Sequence, residues 1–438
     1  MEAILAASSP DTDVLSPSLN YKLDPTGSWC LARRASTTFA LGSSYSPDGV
    51  KMLSFAFGST TEWMDPTTLI FSAEFENLDS ANEAFPATPD PHCLFERMDI
   101  RLGGQLIESV TDVGRCNELF TRLTMSPQKK VNLAQTGFGT AIPSAEPDWS
   151  SAQNHEAKKI PGSGTKRIFW KANLSGLLTS SRWCPLFSLS GQGLVVNWFL
   201  ADVNESLLGP TITGDSATYS QQYRLKDCKA FVDMMTISDQ LQEEFNAQLL
   251  SGVDLKIPIK KIESIYSYIP SAVTNSKFDI PMSRAYTRLC TLFASFVKEP
   301  PGNTKDRLCN SFYMHTGSAE TFQYNLQLGT RKSLDNDSVG FSEAWYRLLH
   351  ALGMSGSLAH STGVTFADYS TNSFALAVDT EKIAHLASSG ENLSNTSVIQ
   401  LKIAGFGTQA ADLPSRCHLV AQHDCVISIR DTTVELFE

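Results

Sequence analysis

Two strand-like runs close the chain, and a similar pair occurs near its middle. Within 396–403, Ile399, Leu401 and Ile403 face one way while Gln400 and Lys402 face the other, and the alternation returns in 417–430 after one slip near Asp424. Successive side chains leave opposite faces of a pleated strand, so a period of two is typical of a strand with one buried face. The chain is therefore predicted to end in an antiparallel sheet.

The earlier pair lies at 194–200 and 223–233, separated by a crossing rich in Gly, Pro, Ser and Thr. In the first of these runs Leu194, Val196 and Trp198 share one face. Two strand clusters that finish in the same way predict two β-sandwiches in tandem. The repeat is one of pattern and not of residue identity.

The length and charge of the chain narrow the possible functions. Its 438 residues are too many for one ordinary hydrophobic core and suit two domains of about 200 residues each. With 42% hydrophobic and 18% charged residues it can bury such cores, so we expect a globular protein. A net charge of −11 argues against a surface that wraps nucleic acid, because such a surface needs clustered Lys and Arg.

Nine cysteines are spread singly along the chain, at positions 30, 93, 116, 184, 228, 290, 309, 417 and 425. There is no Cys-x-x-Cys and no zinc-motif spacing of Cys and His, so metal-free, reduced thiols are expected. The N-terminal residues lack the basic segment of a signal peptide, and no apolar run is long enough to predict a transmembrane segment. The five Asn-x-Ser/Thr sequons are then expected to be chance occurrences.

Several stretches of the first half predict particular elements. The clearest half-buried strand is 67–75. Gly103-Gly104 lies between two alternating runs and predicts a hairpin, because both central residues of a type I′ turn need positive φ. A short helix is expected at 116–123. Residues 126–165, dense in Pro, Gly, Ser and Gln, are expected to be the least structured part.

A helix at 238–250 is predicted to connect the two domains. Asp239 with Gln242 offers a capping-box start, and Gly252 offers a C-terminal stop. Strands restart after it, and another helix is predicted at 340–352, where apolar residues recur at helical spacing. Both halves thus combine many short strands, few helices and long polar loops, the pattern of β-sandwiches.

The chain carries no motif of an enzyme or a nucleotide site. It has no P-loop, HExxH, GxSxG or GxGxxG sequence, and the nearest fragments, 162–166 and 191–193, are predicted to be turns. His155-Glu156 lies in a polar stretch without a second histidine beside it.

Groups of polar or aromatic residues are also candidates for metal, catalytic or stacking sites. His418 and His423 lie beside Cys417 and Cys425, so a metal site is conceivable, but the separations do not fit zinc and packing is favoured. The paired acids are expected to be solvated charges and not a glycosidase pair: Asp335 with Asp337, and Glu243 with Glu244. Most tryptophans lie in apolar runs, where a core role is expected instead of base or sugar stacking: Trp63, Trp149, Trp170, Trp183, Trp198 and Trp345. We therefore predict no catalytic, cofactor-binding or metal-binding residues, and no enzyme.

Several segments, taken in order, resemble one family. They are the strand 63–75, the strand–Gly-Gly–strand run 95–110, the helix 116–123, the leucine-rich turn 174–178, the Pro-Leu pair 185–186 before a strand at 194–198, the strand 223–233, the turn 390–396 and the closing strand 423–429. In this order they resemble the double jelly-roll major capsid proteins of double-stranded DNA viruses, especially those of polinton-like viruses, adintoviruses and virophages. Residues 126–165 and 300–310 match no pattern of the family.

The resemblance implies an all-β fold of two tandem eight-stranded antiparallel jelly-roll β-sandwiches with a few short helices and long loops. Residues 1–20 would then be a flexible N-terminal arm and 21–237 the first jelly roll. Residues 238–251 would be the connecting helix and 252–438 the second jelly roll.

The resemblance also implies a structural role. The expected function is a major capsid protein, a homotrimer whose six jelly rolls form a pseudo-hexameric capsomer of an icosahedral shell. Its expected partners are neighbouring capsomers, penton and minor capsid proteins. The expected location is the virion, after assembly inside the host cell, with no cofactor and no sequence-specific nucleic-acid binding.

Two alternatives stay open at this point. One is a tandem carbohydrate-binding β-sandwich of lectin type, which should bind glycans as a monomer. The other is a jelly-roll enzyme of cupin or glycosidase type. A cupin needs a His-rich metal cluster, which eight scattered histidines do not offer.

Overall fold

The computed structural model describes residues 29–139, 158–189, 193–208, 218–269, 277–282, 284, 286–298, 312–356, 362–370, 373–383, 389–394, 399–407, 412–430 and 433–438. The predictions for the N-terminal arm, His155-Glu156, Trp149 and Cys309 lie outside these residues. Within them, the strands form antiparallel sheets, two in each half of the chain.

The first half contains two sheets. In one, the order is β1 (Cys30–Phe39), β9 (Tyr223–Ile237), β4 (Trp63–Asn77) and β7 (Thr165–Trp170), and the short β2 (Ser44–Tyr45) also pairs with β9. In the other, the order is β3 (Met52–Phe57), β8 (Leu194–Leu200), β5 (Phe95–Leu102) and β6 (Gln105–Thr111).

The second half repeats this arrangement. One sheet has the order β10 (Leu255–Tyr268), β18 (Arg416–Arg430), β12 (Leu289–Val297) and β16 (Ala375–Asp379), with β19 (Thr433–Phe437) beside the end of β18. The other has the order β11 (Phe278–Met282), β17 (Ile399–Ala404), β13 (Gln323–Leu328) and β14 (Arg331–Lys332), with β15 (Ser338–Val339) beside β13.

The strand order is the same in both halves. When the eight main strands of each half are numbered along the chain, one sheet runs first–eighth–third–sixth and the other second–seventh–fourth–fifth. Strands that alternate between two sheets in this order form a jelly roll. The predicted fold, two tandem eight-stranded jelly rolls, is confirmed, and the short β2, β15 and β19 are additional strands.

The alternation read from the sequence corresponds to burial. In β4 the apolar side chains of Leu69, Phe71 and Phe75 are buried, whereas Glu74 and Glu76 are partly exposed. The hairpin between β5 and β6 turns at Gly103 and Gly104, whose φ angles of 56° and 85° confirm the predicted positive-φ turn.

Six α-helices lie between the strands in the described residues. They are α1 (Val113–Thr124), α2 (Pro127–Thr136), α3 (Val203–Ser206), α4 (Asp239–Leu250), α5 (Gly340–Ala351) and α6 (Phe366–Tyr369). The three predicted helices correspond to α1, α4 and α5. None of these six is long and apolar enough to cross a membrane.

The prediction of a capping box at the start of α4 is wrong. The N-cap is Ser238, whose side chain makes no capping hydrogen bond. The Gln242 side chain instead accepts a hydrogen bond from the indole N–H of Trp63 at 3.0 Å, because that tertiary contact competes for the amide. The predicted stop is present, since Gly252 follows the helix with a φ of 80°.

Two other expectations need correction. Residues 126–165 are not all irregular, because α2 occupies Pro127–Thr136. The apparent slip near Asp424 is not a break in the strand. β10 and β18 pair without a register shift from Leu255–Ile429 to Tyr268–Arg416. Polar side chains such as that of Asp424 are buried there, and the sequence pattern therefore loses its alternation.

Most of the buried apolar side chains of the two jelly rolls form one continuous cluster, and Trp63, Met235 and Ile237 form a second, smaller one. Phe71 is fully buried in the first roll, and its ring centroid lies 5.4 Å from that of Trp198 and 5.8 Å from that of Trp170. In the second roll Phe322 and Phe374 pack edge to face at 5.3 Å. Each such aromatic pair contributes about 0.5–1.5 kcal/mol beyond its buried area.

Candidate functional site

The motif fragments found in the sequence are turns where the structure describes them. Residues 162–163 form a turn before β7, and the N–H of Gly164 donates to the Pro161 carbonyl at 2.9 Å. Gly193 leads directly into β8, while Gly191 and Gln192 lie outside the described residues. The described fragments are therefore loop geometry and not a phosphate cradle at the start of a helix.

His418 and His423 are both buried in β18. The His418 Nε2 lies 3.1 Å from the Ser264 Oγ and 3.8 Å from the Cys116 Sγ, and the His423 Nδ1 lies 3.3 Å from the Cys425 Sγ. Burial lowers the pKa of His418 to about 3 and that of His423 to about 4, so both rings are neutral at neutral pH. Among the described residues, no group of three or more His, Cys, Asp or Glu side chains could hold a metal ion.

The other candidates have structural environments. Trp170 and Trp198 are buried in the first roll. The ring of Trp345 packs on that of Tyr369, with 4.8 Å between the ring centroids. The Asp337 carboxylate pairs with the Lys332 ammonium at 2.8 Å. The remaining acid pair, Glu243 and Glu244, is exposed on α4.

The cysteines that the structure describes carry free thiols, and all of them except Cys30 are buried. Burial raises the pKa of Cys93 and Cys184 to about 12, which keeps these thiols protonated at neutral pH. They act as small apolar side chains of the core.

The two jelly rolls meet where α1 of the first roll packs on β18 and β12 of the second. The Phe120 ring lies edge to face on Phe293 of β12, with 5.3 Å between the centroids. One turn earlier on α1, Cys116 contacts His418 of β18. The contact therefore buries both aromatic and polar groups between the rolls.

A buried carboxylate supports the same contact. Glu108 of β6 accepts hydrogen bonds from the Ser175 hydroxyl and from the N–H groups of Gly176, at 2.8 Å, and Leu177, at 3.4 Å. Burial raises the pKa of Glu108. The turn held in this way lies directly on β10, since a Cβ at Gly176 would be 2.3 Å from the Lys260 carbonyl oxygen. Only glycine fits this approach of two backbones.

Hydrogen bonds between polar side chains also cross the contact between the two rolls. The Ser264 hydroxyl of β10 lies 3.2 Å from the Asp112 carboxylate, whose pKa is raised by burial. Arg122 of α1 forms a buried ion pair with Glu118 at 2.9 Å and donates to the Ser373 hydroxyl of the second roll at 3.3 Å. These bonds satisfy groups that would be costly to bury without partners.

A charged cluster ties the chain end to the second roll. The Glu438 carboxylate pairs with Lys261 at 2.6 Å and with Arg284 at 2.5 Å, and Arg284 also binds Glu263 at 2.5 Å. Burial would raise the pKa of Glu438, but the two cations outweigh it and lower the pKa below its usual value. The cluster is therefore charged at neutral pH.

The first roll has an exposed apolar edge. We define it by large apolar side chains on and around β1 and the start of β3 that are 44–80% exposed: Trp29, Leu31, Phe39, Leu41, Val50 and Met52. β1 is the last strand of its sheet, so one side of its backbone has no strand partner in the described residues. An open strand edge with apolar side chains is a surface suited to association.

Sequence reasoning missed both the contact between the rolls and the apolar edge. A signal for the contact was present in β18, where buried polar residues interrupt the alternation. The edge had no signal, because β1 has the composition of an ordinary half-buried strand. Only the pairing of the strands places it at the end of a sheet.

Comparison with solved structures gives the same fold. The chain matches PBCV-1 VP54, as fitted into a reconstruction of the virophage Sputnik, with a TM-score of 0.61 and 14% identity over 95% of this chain and 98% of that chain. It matches the Faustovirus major capsid protein with a TM-score of 0.61 and 8% identity over 98% and 93% of the two chains. A cryo-EM structure of the Sputnik virophage matches with a TM-score of 0.57 and 11% identity over 97% and 92%.

These similarities establish that the chain has the double jelly-roll fold. No family model matches the sequence, and no curated protein matches it. At identities of 8–14%, the similarity concerns the fold alone.

Proposed function

We propose that this chain is a major capsid protein, the structural subunit of an icosahedral double-stranded DNA virus shell. One observation carries the proposal. The similar structures, one of which is named a major capsid protein, align over at least 92% of both chains. Both rolls and their connection are therefore shared, with no large part of this chain left over for a separate activity.

The contact between the rolls supports a wall-forming role. A subunit of a shell has to transmit load between its halves without hinging. Here Phe120 with Phe293, the Gly176 turn on β10 and the Arg122–Ser373 bond hold the halves at three separate places. This is a rigid two-lobed building block.

We further propose a homotrimer as the capsomer, in which six jelly rolls form a pseudo-hexagonal outline. The apolar edge is the surface we assign to contacts between subunits. An obligate contact of this kind buries more than about 2,000 Å² in total. Neighbouring capsomers, penton and minor capsid proteins are the further partners of this proposal. The location is the virion, after assembly inside the host cell. The net charge of −11 supports a shell that does not itself condense DNA.

The elements at the connection between the rolls support a division of the chain. We propose an arm at 1–20, a first jelly roll at 21–237, a connecting helix at 238–251 and a second jelly roll at 252–438. Its support is that β9 ends at Ile237, α4 spans Asp239–Leu250 and β10 begins at Leu255.

Sedimentation velocity at micromolar concentration tests the contact surface. We expect the wild-type chain to sediment as a trimer and Leu41→Asp to dissociate, because a charge on the apolar edge cannot be buried without a partner. Leu250→Asp is the matched control, since Leu41 and Leu250 are 80% and 81% exposed and only Leu41 is on the edge.

A wild-type protein that sediments as a monomer and binds glycans would favour the lectin-type alternative and contradict the capsid proposal. Equal sedimentation of Leu41→Asp and the wild-type trimer would instead remove the apolar edge from the contact. The capsid proposal would then need another subunit surface.

A further inference from the structure

An apolar groove of about 420 Å³ lies where α4 meets the start of β10. Its walls include Trp63 of β4, Trp183, Leu241 and Phe245 of α4, and Ile257 of β10. The Trp63 and Phe245 rings pack at 5.0 Å, so the groove has a well-packed aromatic wall. It is outside the contact between the rolls that involves α1, and the proposed capsid role does not use it.

The charged side chains that line the groove have one sign. Among the described residues that line it, the charged side chains are Arg182 and Lys256, both cations. The acids Glu243 and Glu244 of α4 are exposed and do not line it. The groove is therefore suited to an apolar segment that is flanked by acidic residues.

The described chain begins beside this groove. The carbonyl of Trp29 accepts a hydrogen bond from the N–H of Ser238 at 2.8 Å. Ser238 is the N-cap of α4 and lies three residues before Leu241, which lines the groove. Whatever precedes Trp29 in the chain thus starts within reach of the groove.

The sequence before Trp29 has the chemistry that the groove requires. Residues 1–28 contain four acids, Glu2, Asp11, Asp13 and Asp24, against the single cation Lys22. Within them, apolar and polar side chains alternate at 19–23, where the apolar members are Leu19, Tyr21 and Leu23. Leu23 is separated from Trp29 by a connection that can extend to about 20 Å.

We propose that residues 19–23 dock in this groove of the same chain, with Leu19, Tyr21 and Leu23 as the apolar contacts. A short tether of this kind gives an effective concentration of about millimolar, which favours the segment of the same chain over that of a second copy. Residues 19–23 themselves carry one cation, Lys22, and Arg182 and Lys256 attract the acids on either side of the run, Asp13 and Asp24. Docking is a property of the free chain and does not depend on the capsid role.

Trypsin provides a direct test on the full-length chain, because Lys22 is the single basic residue within 1–28. The rate of cleavage after Lys22, followed by mass spectrometry, reports whether the segment is held. We expect Leu241→Glu to raise this rate at least tenfold and Lys256→Glu at least threefold. Gln240→Glu is the matched control, since Gln240 is an exposed neighbour on α4 and receives the same charge, and its rate should stay within twofold of wild type.

Lys256→Glu changes an exposed side chain, so it keeps the test valid if Leu241→Glu fails to fold. Equal rates in wild type, Lys256→Glu and Gln240→Glu would overturn the proposal. A photo-crosslinking residue in place of Tyr21 gives the second measurement. Products with 182–185 or 241–245 of the same chain are expected. Products with β1, which would mean a hairpin along its open edge, or products between chains would overturn it.

Discussion

β9 and β18 are the eighth strands of the two jelly rolls, and they differ in what covers them. In β9 buried and exposed side chains alternate over much of the strand, and Phe231 on its outer side is 37% exposed. In β18 eleven of the fifteen side chains are buried, including those of His418 and Val420. The two strands hold the same place in the same topology, so the difference arises from their surroundings.

The difference follows from the way in which the first roll packs on the second. β18 and its neighbour β10 are covered by α1, β6 and the Gly176 turn of the first roll, whereas the outer side of β9 has no such cover near Phe231. The first strands of the two rolls differ in the same way. β1 is almost entirely exposed, whereas the middle of β10 is mostly buried. The sheet of the second roll that contains β10 and β18 is thus covered by the first roll, and the first roll keeps an open edge.

The largest expected effect compares two phenylalanines. Phe293→Ala should lower the free energy of unfolding by about 4 kcal/mol, because the ring is buried against Phe120 and leaves a cavity between the rolls. Phe231→Ala should lower it by less than about 1 kcal/mol, since this ring is partly exposed. Chemical denaturation of both variants measures the difference. Equal losses would contradict the asymmetry between the rolls.

A smaller effect is expected at the closest approach of the two backbones. Gly176→Ala should destabilise the protein by about 3 kcal/mol, because its Cβ would lie 2.3 Å from the Lys260 carbonyl oxygen. Gly58→Ala is the control, as its Cβ would meet nothing within 4 Å, and its stability should change by less than about 1 kcal/mol. Thermal unfolding of both variants decides this. A Gly176→Ala protein as stable as the control would show that the rolls can separate without cost.

The smallest effect is a pH dependence that belongs to the second roll. The folded-state pKa of His418, about 3, and of His423, about 4, lies below the usual value of 6.5. Stability from these groups is therefore complete above pH 6.5 and is lost as the pH falls towards 4, where the unfolded chain binds protons that the folded chain excludes. Between pH 7 and 5.5 the two together should cost about 2 kcal/mol.

Histidine variants separate the pH dependence of stability that comes from His418 from the pH dependence that comes from the carboxylates. His418→Gln should reduce the loss of stability between pH 7 and 5.5, measured by denaturation at each pH. His350→Gln, which makes the same substitution at a side chain that is 52% exposed, is measured beside it as the control. An unchanged slope in His418→Gln would mean that this ring is not held neutral by burial.

The sequence predicted the strands and the overall fold, but it did not predict the contacts between distant parts of the chain. Hydrophobic alternation located β4, β8, β9 and β18, and the Gly103-Gly104 pair located a hairpin, because these signals are local. The polar residues of β18 broke the pattern, since His418 and Asp424 are buried by partners from distant parts of the chain. The same reason explains why the predicted capping box of α4 is wrong. The Gln242 side chain accepts a hydrogen bond from Trp63, which is 179 positions away in the chain.

The connection between the rolls illustrates the same limit. The apolar residues of α4 were recognised in the sequence from their spacing. Their role as one wall of a groove with Trp63 and Ile257 depends on tertiary placement, which no local pattern contains. The apolar edge depends in turn on which strand ends a sheet.

Electron microscopy of the purified chain in negative stain tests the central claim most directly. If two fused jelly rolls form one third of a capsomer, class averages should show particles with a hexagonal outline and three-fold symmetry, of three times the chain mass of 47.9 kDa. Isolated two-lobed particles of one chain mass, at concentrations where the protein is stable and soluble, would contradict it.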